Sequence, residues 1–136
     1  MEIRHLTCYH GSLLRSAAAL FTRIYNQPEE VLFKRLTNIF DDGGWRLAYE
    51  KDFKVAALYQ VTDRLHSGSV VFIDSLAAAE SGGGHGAAML DHLASYALAA
   101  GCCAVILDCR VDNTEALRFY DRRMVRRSFG YIMEVK

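Results

Sequence analysis

The chain has 136 residues, enough for one domain with its own core and too few for two. Hydrophobic residues make up 51% and charged residues 24%, with 16 basic residues balancing 16 acidic ones. That neutrality argues against nucleic acid or an anionic membrane as partner, and no run reaches the ~18 apolar residues of a spanning helix.

Met1-Glu2-Ile3-Arg4-His5 reads as the start of a strand and lacks the long apolar stretch of a signal peptide. Ile3 to Cys8 alternates weakly and forms the first expected strand. Leu13, Leu14, Ala17, Leu20, Phe21, Ile24 and Tyr25 then recur at helical spacing. Pro28 suits a first helical position, and Glu29-Glu30 suit the positive end of a helix dipole. The apolar face of this second helix is Leu32, Leu36, Ile39 and Phe40, and Asp41-Asp42-Gly43-Gly44 ends it. Three strand-like runs follow with no helix between them: Trp45 to Tyr49, Phe53 to Val61, and Ser69 to Ala78 after a polar connection over Thr62 to Gly68. They predict an antiparallel meander.

After Ala78 comes Ser81-Gly82-Gly83-Gly84-His85-Gly86, and then an apolar helical face of Met89, Leu90, Leu93, Ala94, Ala97 and Leu98. Strand, glycine-rich loop and helix form an arrangement that cradles phosphate: glycine leaves backbone N–H groups open, and the helix start adds partial positive charge. Gly82, Gly83, Gly84 and Gly86, with the amides of His85 and Ala87, are the expected pyrophosphate site. Gly101 stops the helix. Cys103-Ala104-Val105-Ile106-Leu107 is wholly apolar and predicts a buried central strand, parallel to the Val70 to Ala78 strand because a helix connects them. Asp112-Asn113-Thr114-Glu115 caps a last helix carrying Leu117, Phe119, Tyr120 and Met124, and Ser128 to Val135 predicts a closing strand.

The four cysteines, Cys8, Cys102, Cys103 and Cys109, form no Cys-x-x-Cys pair and read as reduced thiols of a cytoplasmic protein. The five histidines do not cluster at ligand spacing, so no metal site is expected.

This order of elements resembles the GNAT family of N-acetyltransferases over nearly the whole chain. The family's acyl-CoA loop, Arg/Gln-x-x-Gly-x-Gly/Ala, corresponds to Ser81 through Gly86, with Ser81 replacing the basic or amide residue. Its later helix, Asn-x-x-Ala-x-x-Phe-Tyr, is matched in full by Asn113-Thr114-Glu115-Ala116-Leu117-Arg118-Phe119-Tyr120. The resemblance implies an α/β fold with a mixed sheet: an antiparallel meander, then a parallel βαβ pair, with helices on both faces, in one domain over residues 1–136. It implies an acyl-CoA-dependent enzyme that moves an acetyl group from acetyl-CoA (coenzyme A) to a primary amine of a small molecule or peptide.

It also assigns roles. The backbones of Leu76, Ala77 and Ala78 would meet the pantetheine arm. Asp74, two residues before Leu76 and so on the same sheet face, would help the amine lose its proton; an alkylammonium has a pKa near ~10.4 and needs that help. Asp108, at the end of the next strand, competes for this role. Tyr120 would be general acid toward the departing thiolate, and Asn113 would contact the cofactor, cap its helix, or both. Arg118, Arg122, Arg123, Arg126 and Arg127 form a dense basic set that reads first as a solvated face and, as the alternative, as a contact for the 3′-phosphate of coenzyme A. The acceptor would lie among Tyr25 to Glu30, Asp41, Asp42 and Ser128 to Tyr131. Only one strand's worth of chain follows Met124, where the family has a hairpin of two. That leaves an open sheet edge and suggests a homodimer.

Two other readings compete. Gly82-x-Gly84-x-x-Ala87 fits a permissive dinucleotide fingerprint with Asp108 downstream, but the glycines do not follow the strand immediately, the preceding strands read as antiparallel, and too little chain remains for further βα units. A non-catalytic acyl-CoA-binding sensor would explain Ser81, while Asn113 and Tyr120 argue for an enzyme.

Overall fold

The computed structural model describes residues 1–135. Its five strands, β1 (Ile3–Leu6), β2 (Trp45–Glu50), β3 (Val55–Arg64), β4 (Gly68–Ala78) and β5 (Ala104–Leu107), form one sheet in sequence order. The pairs β1–β2, β2–β3 and β3–β4 are antiparallel, and β5 runs parallel to β4. The meander and the parallel pair expected from the sequence are therefore present. The chain forms two compact units, Met1–Ile106 and a second beginning at Leu107.

In the first unit, α1 (Gly11–Phe21) and α2 (Glu29–Asp41) pack over one sheet face. Leu14, Ala17, Phe21, Leu32, Leu36 and Phe40 meet Leu47, Tyr49, Ala56, Leu58 and Ala77 in one core cluster. α3 (His85–Ala99) covers the other face through contacts with β3 and β4. Leu14, Leu47, Tyr59, Met89 and Leu93 are completely shielded. Truncating such a leucine to alanine typically costs 2–5 kcal/mol.

Several boundaries differ from expectation. α1 ends at Phe21, so Ile24 and Tyr25 fall in the following turn. The Thr22 hydroxyl donates to the Ala19 carbonyl at 2.6 Å, a local bond that competes with the helix ladder, and Pro28 biases residue 27 away from helix. Pro28 itself caps α2 from outside, with an extended ψ of 149°. The polar segment after Val61 is mostly strand: β3 reaches Arg64 and β4 starts at Gly68, leaving a short hairpin turn. β3 begins at Val55 because Phe53 sits in the preceding turn at φ 56°, stacked on Tyr49. The apolar run at β5 is half-buried and last in the sheet, not central. Its apolar character alone could not distinguish an edge from an interior position.

In the second unit, α4 (Thr114–Asp121) is capped by Asn113, whose Oδ1 accepts the Ala116 N–H at 3.2 Å. The expected strand over Ser128 to Val135 is not formed: residues 125–135 carry no helix or strand, and Phe129, Tyr131, Ile132, Met133 and Val135 are exposed. An alternating apolar segment becomes a strand only when a neighbour supplies a ladder, and none of the sheet pairings involves it.

Candidate active site

β4 contains one irregularity. Leu58 pairs with Ser75 while Tyr59 pairs with Ile73, so Asp74 is an extra residue, a β-bulge. A regular strand would put Asp74 and Leu76 on one face. Past the bulge, Ser75 and Ala77 share the α1/α2 face with Leu58 and Ala56, and Leu76 alternates to the other. Asp74 and Ser75, although adjacent, both border a cavity of ≈170 Å³ on the α1/α2 side. The expectation that Asp74 and Leu76 share a face is thus corrected by the bulge.

The cavity walls are Phe21, Leu32, Leu36, Ile39 and Leu58; its polar groups are Tyr25, Arg35, Asp74 and Ser75. Ser75 Oγ donates to Asp74 Oδ2 at 2.7 Å and lies 2.6 Å from Tyr25 Oη. Because the serine proton is committed to the carboxylate, the phenol is the donor in the second bond. A directed chain results, Tyr25 to Ser75 to Asp74. Burial pushes the Tyr25 phenol above its ordinary value and the nearby Asp74 charge adds to this, while the Ser75 bond opposes it. The phenol therefore stays protonated. Ser75 is buried, whereas Asp74 is exposed and accessible to a ligand. A larger hollow of ≈480 Å³ along α2, from Glu30 to Thr37, is lined among the described residues by one helix alone and encloses nothing.

β4 leads into the glycine turn. β5 starts beside Ser69, where the Cys103 N–H donates to the Ser69 carbonyl at 2.9 Å. Four residues in parallel advance bring it to its end before Leu76, Ala77 and Ala78, which pair with β3 on their other side. Gly82 and Gly84 adopt φ of 77° and 79°, and a Cβ on either would meet nothing within 4 Å. No side chain caps α3, and its first main-chain bond runs from the Ala88 N–H to Gly84 O at 3.0 Å. The amides of His85, Gly86 and Ala87 thus stand at an uncapped helix start. His85 Nδ1 is buried without a hydrogen-bond partner among the described residues. Open amides, clear space above two left-handed glycines and an orphaned ring nitrogen fit a phosphate-bearing ligand.

Asn113 and Tyr120 belong to the second unit, at the cap and in the last turn of α4. Arg126 pairs with Asp121 at 2.7 Å, and Arg123 lies over Phe119. Asp108 follows β5 directly. No group of three His, Cys, Asp or Glu among the described residues could hold a metal, and no helix there is long and apolar enough to cross a membrane. All four cysteines are free.

The acetyltransferase (GNAT) family model matches residues 12–124. The chain belongs to the GNAT acetyltransferase family. It is accordingly an acyl-CoA-dependent N-acyltransferase. Among solved structures, a ribosomal-protein-alanine N-acetyltransferase from Brucella melitensis biovar Abortus 2308 superposes with TM-score 0.77 at 14% identity, over 98% of each chain. An aminoglycoside N-acetyltransferase, AAC(6')-Iy, in complex with CoA gives 0.75 at 14% identity, covering 99% of this chain and 93% of that one. A Trypanosoma brucei acetyltransferase gives 0.69 at 20% identity, covering 99% and 98%. At these identities the likeness is one of fold. No curated protein matches the sequence.

Of the residues singled out from sequence, Asp74, Leu76, Ala77, Ala78 and Gly82 through Ala87 follow one another in the first unit of this GNAT chain. Sequence reasoning missed Ser75 and Arg35, and it named Tyr25 only as part of a broad acceptor region. One signal was available: Asp74-Ser75 places two polar residues in succession inside an otherwise apolar strand, where alternation allows one.

Proposed function

We propose that this GNAT enzyme transfers an acetyl group directly from acetyl-CoA to a primary amine of a small molecule or peptide, with both substrates bound together in one domain over residues 1–136. The observation that carries the reading is Asp74, set by the bulge at the border of an apolar cavity, on the strand that leads into the glycine turn. The turn at Gly82, Gly83 and Gly84, with the amides of His85, Gly86 and Ala87, would hold the pyrophosphate. The main chain of Leu76, Ala77 and Ala78 would hold the pantetheine arm. When bound, acetyl-CoA supplies an activated acetyl thioester. Asp74 accepts the proton that the acceptor ammonium must lose, directly or through water, while Ser75, itself held by Tyr25, donates to its carboxylate. Tyr120 gives its phenolic proton to the departing sulfur, and Asn113 fixes the start of the helix that carries it.

Calorimetric titration with acetyl-CoA, with NAD as control, tests the cofactor. An amine screen with thiol detection tests the transfer. Saturable binding of acetyl-CoA alone is expected, and no binding at millimolar ligand refutes the reading.

Ser81 favours a second reading, a non-catalytic acyl-CoA sensor, because it stands where the family's loop carries a basic or amide side chain. Binding without turnover of any amine would select it.

The proposal extends to a homodimer, since β5 is the last strand of the sheet among the described residues and strand edges tend to be covered. A monomer by light scattering at micromolar concentration removes the dimer and leaves the chemistry. The four free thiols support a cytoplasmic setting, and the balanced charge supports a partner that is neither nucleic acid nor membrane.

A further inference from the structure

The cavity beside Asp74 has a chemistry of its own. At ≈170 Å³ it is smaller than the ~300 Å³ at which drug-sized ligand pockets begin. Apart from Tyr25, Arg35, Asp74 and Ser75 its walls are aliphatic and aromatic, so a group enclosed between Phe21, Leu36 and Leu58 is apolar.

Two opposite charges border it. Asp74 is one. Arg35 is the other, exposed on α2 one turn before Ile39, so that its guanidinium shares the side of the helix that lines the cavity. Arg35 has no ion pair or hydrogen bond among the described residues, whereas Arg15 on the neighbouring helix is engaged by Glu29 and Glu30. An arginine fork in reach of a ligand pairs a carboxylate with two parallel hydrogen bonds. A dication would gain at Asp74 and lose at Arg35.

We propose that the acceptor is a free apolar α-amino acid, its ammonium at Asp74, its side chain between Phe21, Leu36 and Leu58, and its carboxylate on Arg35. This assignment rests on the acetyl-transfer reading and specifies its acceptor. It differs from a peptide terminus, whose α-carbonyl is amidated and offers Arg35 no charge.

The test uses the full chain with saturating acetyl-CoA and follows thiol release. The acceptors are leucine, leucinamide, isoamylamine (leucine without its carboxylate), cadaverine, spermidine and kanamycin. Leucine should exceed leucinamide and isoamylamine in kcat/KM by about tenfold or more, the value of a charged hydrogen-bond pair. Arg35→Gln should raise KM for leucine by a similar factor with a smaller change in kcat. Arg35→Lys should recover part of the loss, and Arg35→Glu should turn the preference toward cadaverine. Arg35 is exposed, so these variants fold, as circular dichroism would verify.

Equal rates for leucine and isoamylamine overturn the assignment. Preference for spermidine, kanamycin or leucinamide also overturns it and leaves acetyl transfer standing. Acetyl-CoA binding with no amine turned over overturns it in favour of the sensor. Failure to bind acetyl-CoA overturns it together with the proposed function.

Discussion

His5 Nε2 and His92 Nε2 lie 2.7 Å apart, so β1 is tied to α3 by a contact with room for one proton and not two. His5 Nδ1 also meets Tyr59 Oη at 2.5 Å, Tyr96 stacks on the His5 ring, and Arg46 donates to Tyr96 Oη. Burial, then the His92 charge, then Arg46 push the His5 imidazole below its ordinary value, and burial does the same to His92. With the folded values below ~6.5, the unfolded chain binds more protons in the interval between them, and stability there rises with pH. The contribution is complete above ~6.5 and is lost as pH falls through that value toward the depressed folded ones. Thermal unfolding should show Tm falling from pH 7.5 to pH 5, with a shallower fall in His92→Gln. An identical slope in that variant would mean that the pair does not govern acid sensitivity.

The hydrogen-bonded chain behind Asp74 predicts a graded series. Asp74→Asn removes the proton acceptor and should lower kcat by about 10²–10⁴, the usual range for a general base. Ser75→Ala removes the Asp74 donor and strands the Tyr25 phenol, so kcat should fall less, with KM for acetyl-CoA unmoved. Ser75→Thr keeps the hydroxyl and should restore most of the loss. If Ser75→Ala and Ser75→Thr behave alike, the effect is one of packing and the chain has no role in orienting the carboxylate.

Tyr120 is the residue where family resemblance carries most of the argument. Tyr120→Phe keeps the ring and removes the proton. Turnover should fall by about 10²–10⁴ while acetyl-CoA affinity stays within about twofold. Steady-state kinetics paired with calorimetry read both quantities. Unchanged turnover would assign the thiolate's proton to another donor.

Helix and strand positions were legible because they follow from periodicity. Leu14, Ala17 and Phe21, or Leu32 and Leu36, recur every three or four residues and are buried in one core cluster. The glycine turn was legible because Gly82 and Gly84 need a backbone conformation that few other residues adopt. The Asp74 bulge was not, because a bulge is set by the register between β3 and β4, two segments whose separate patterns do not fix it. Nor was the His5–His92 contact, whose partners are 87 residues apart and sit on elements with no shared motif. The segment 128–135 shows the converse: its local pattern favours a strand, but a strand is a property of a pair.

Gly84 separates backbone strain from ligand binding. At φ 79° it starts α3, and a methyl there meets no protein atom within 4 Å. Gly84→Ala therefore costs only the left-handed penalty, about 1–2 kcal/mol. Gly43, at φ 75° and equally open, carries the same penalty in the turn after α2. The two alanine variants should lose similar stability in urea. They should differ in affinity, because only the Gly84 methyl would enter the open space beside the start of α3. Displacing one charge-assisted hydrogen bond, about 1.5 kcal/mol, raises Kd for acetyl-CoA about tenfold. Gly43→Ala should leave Kd unchanged. A matched loss of stability with equal Kd values in both variants would place the pyrophosphate away from this helix start and take the phosphate assignment of the turn with it.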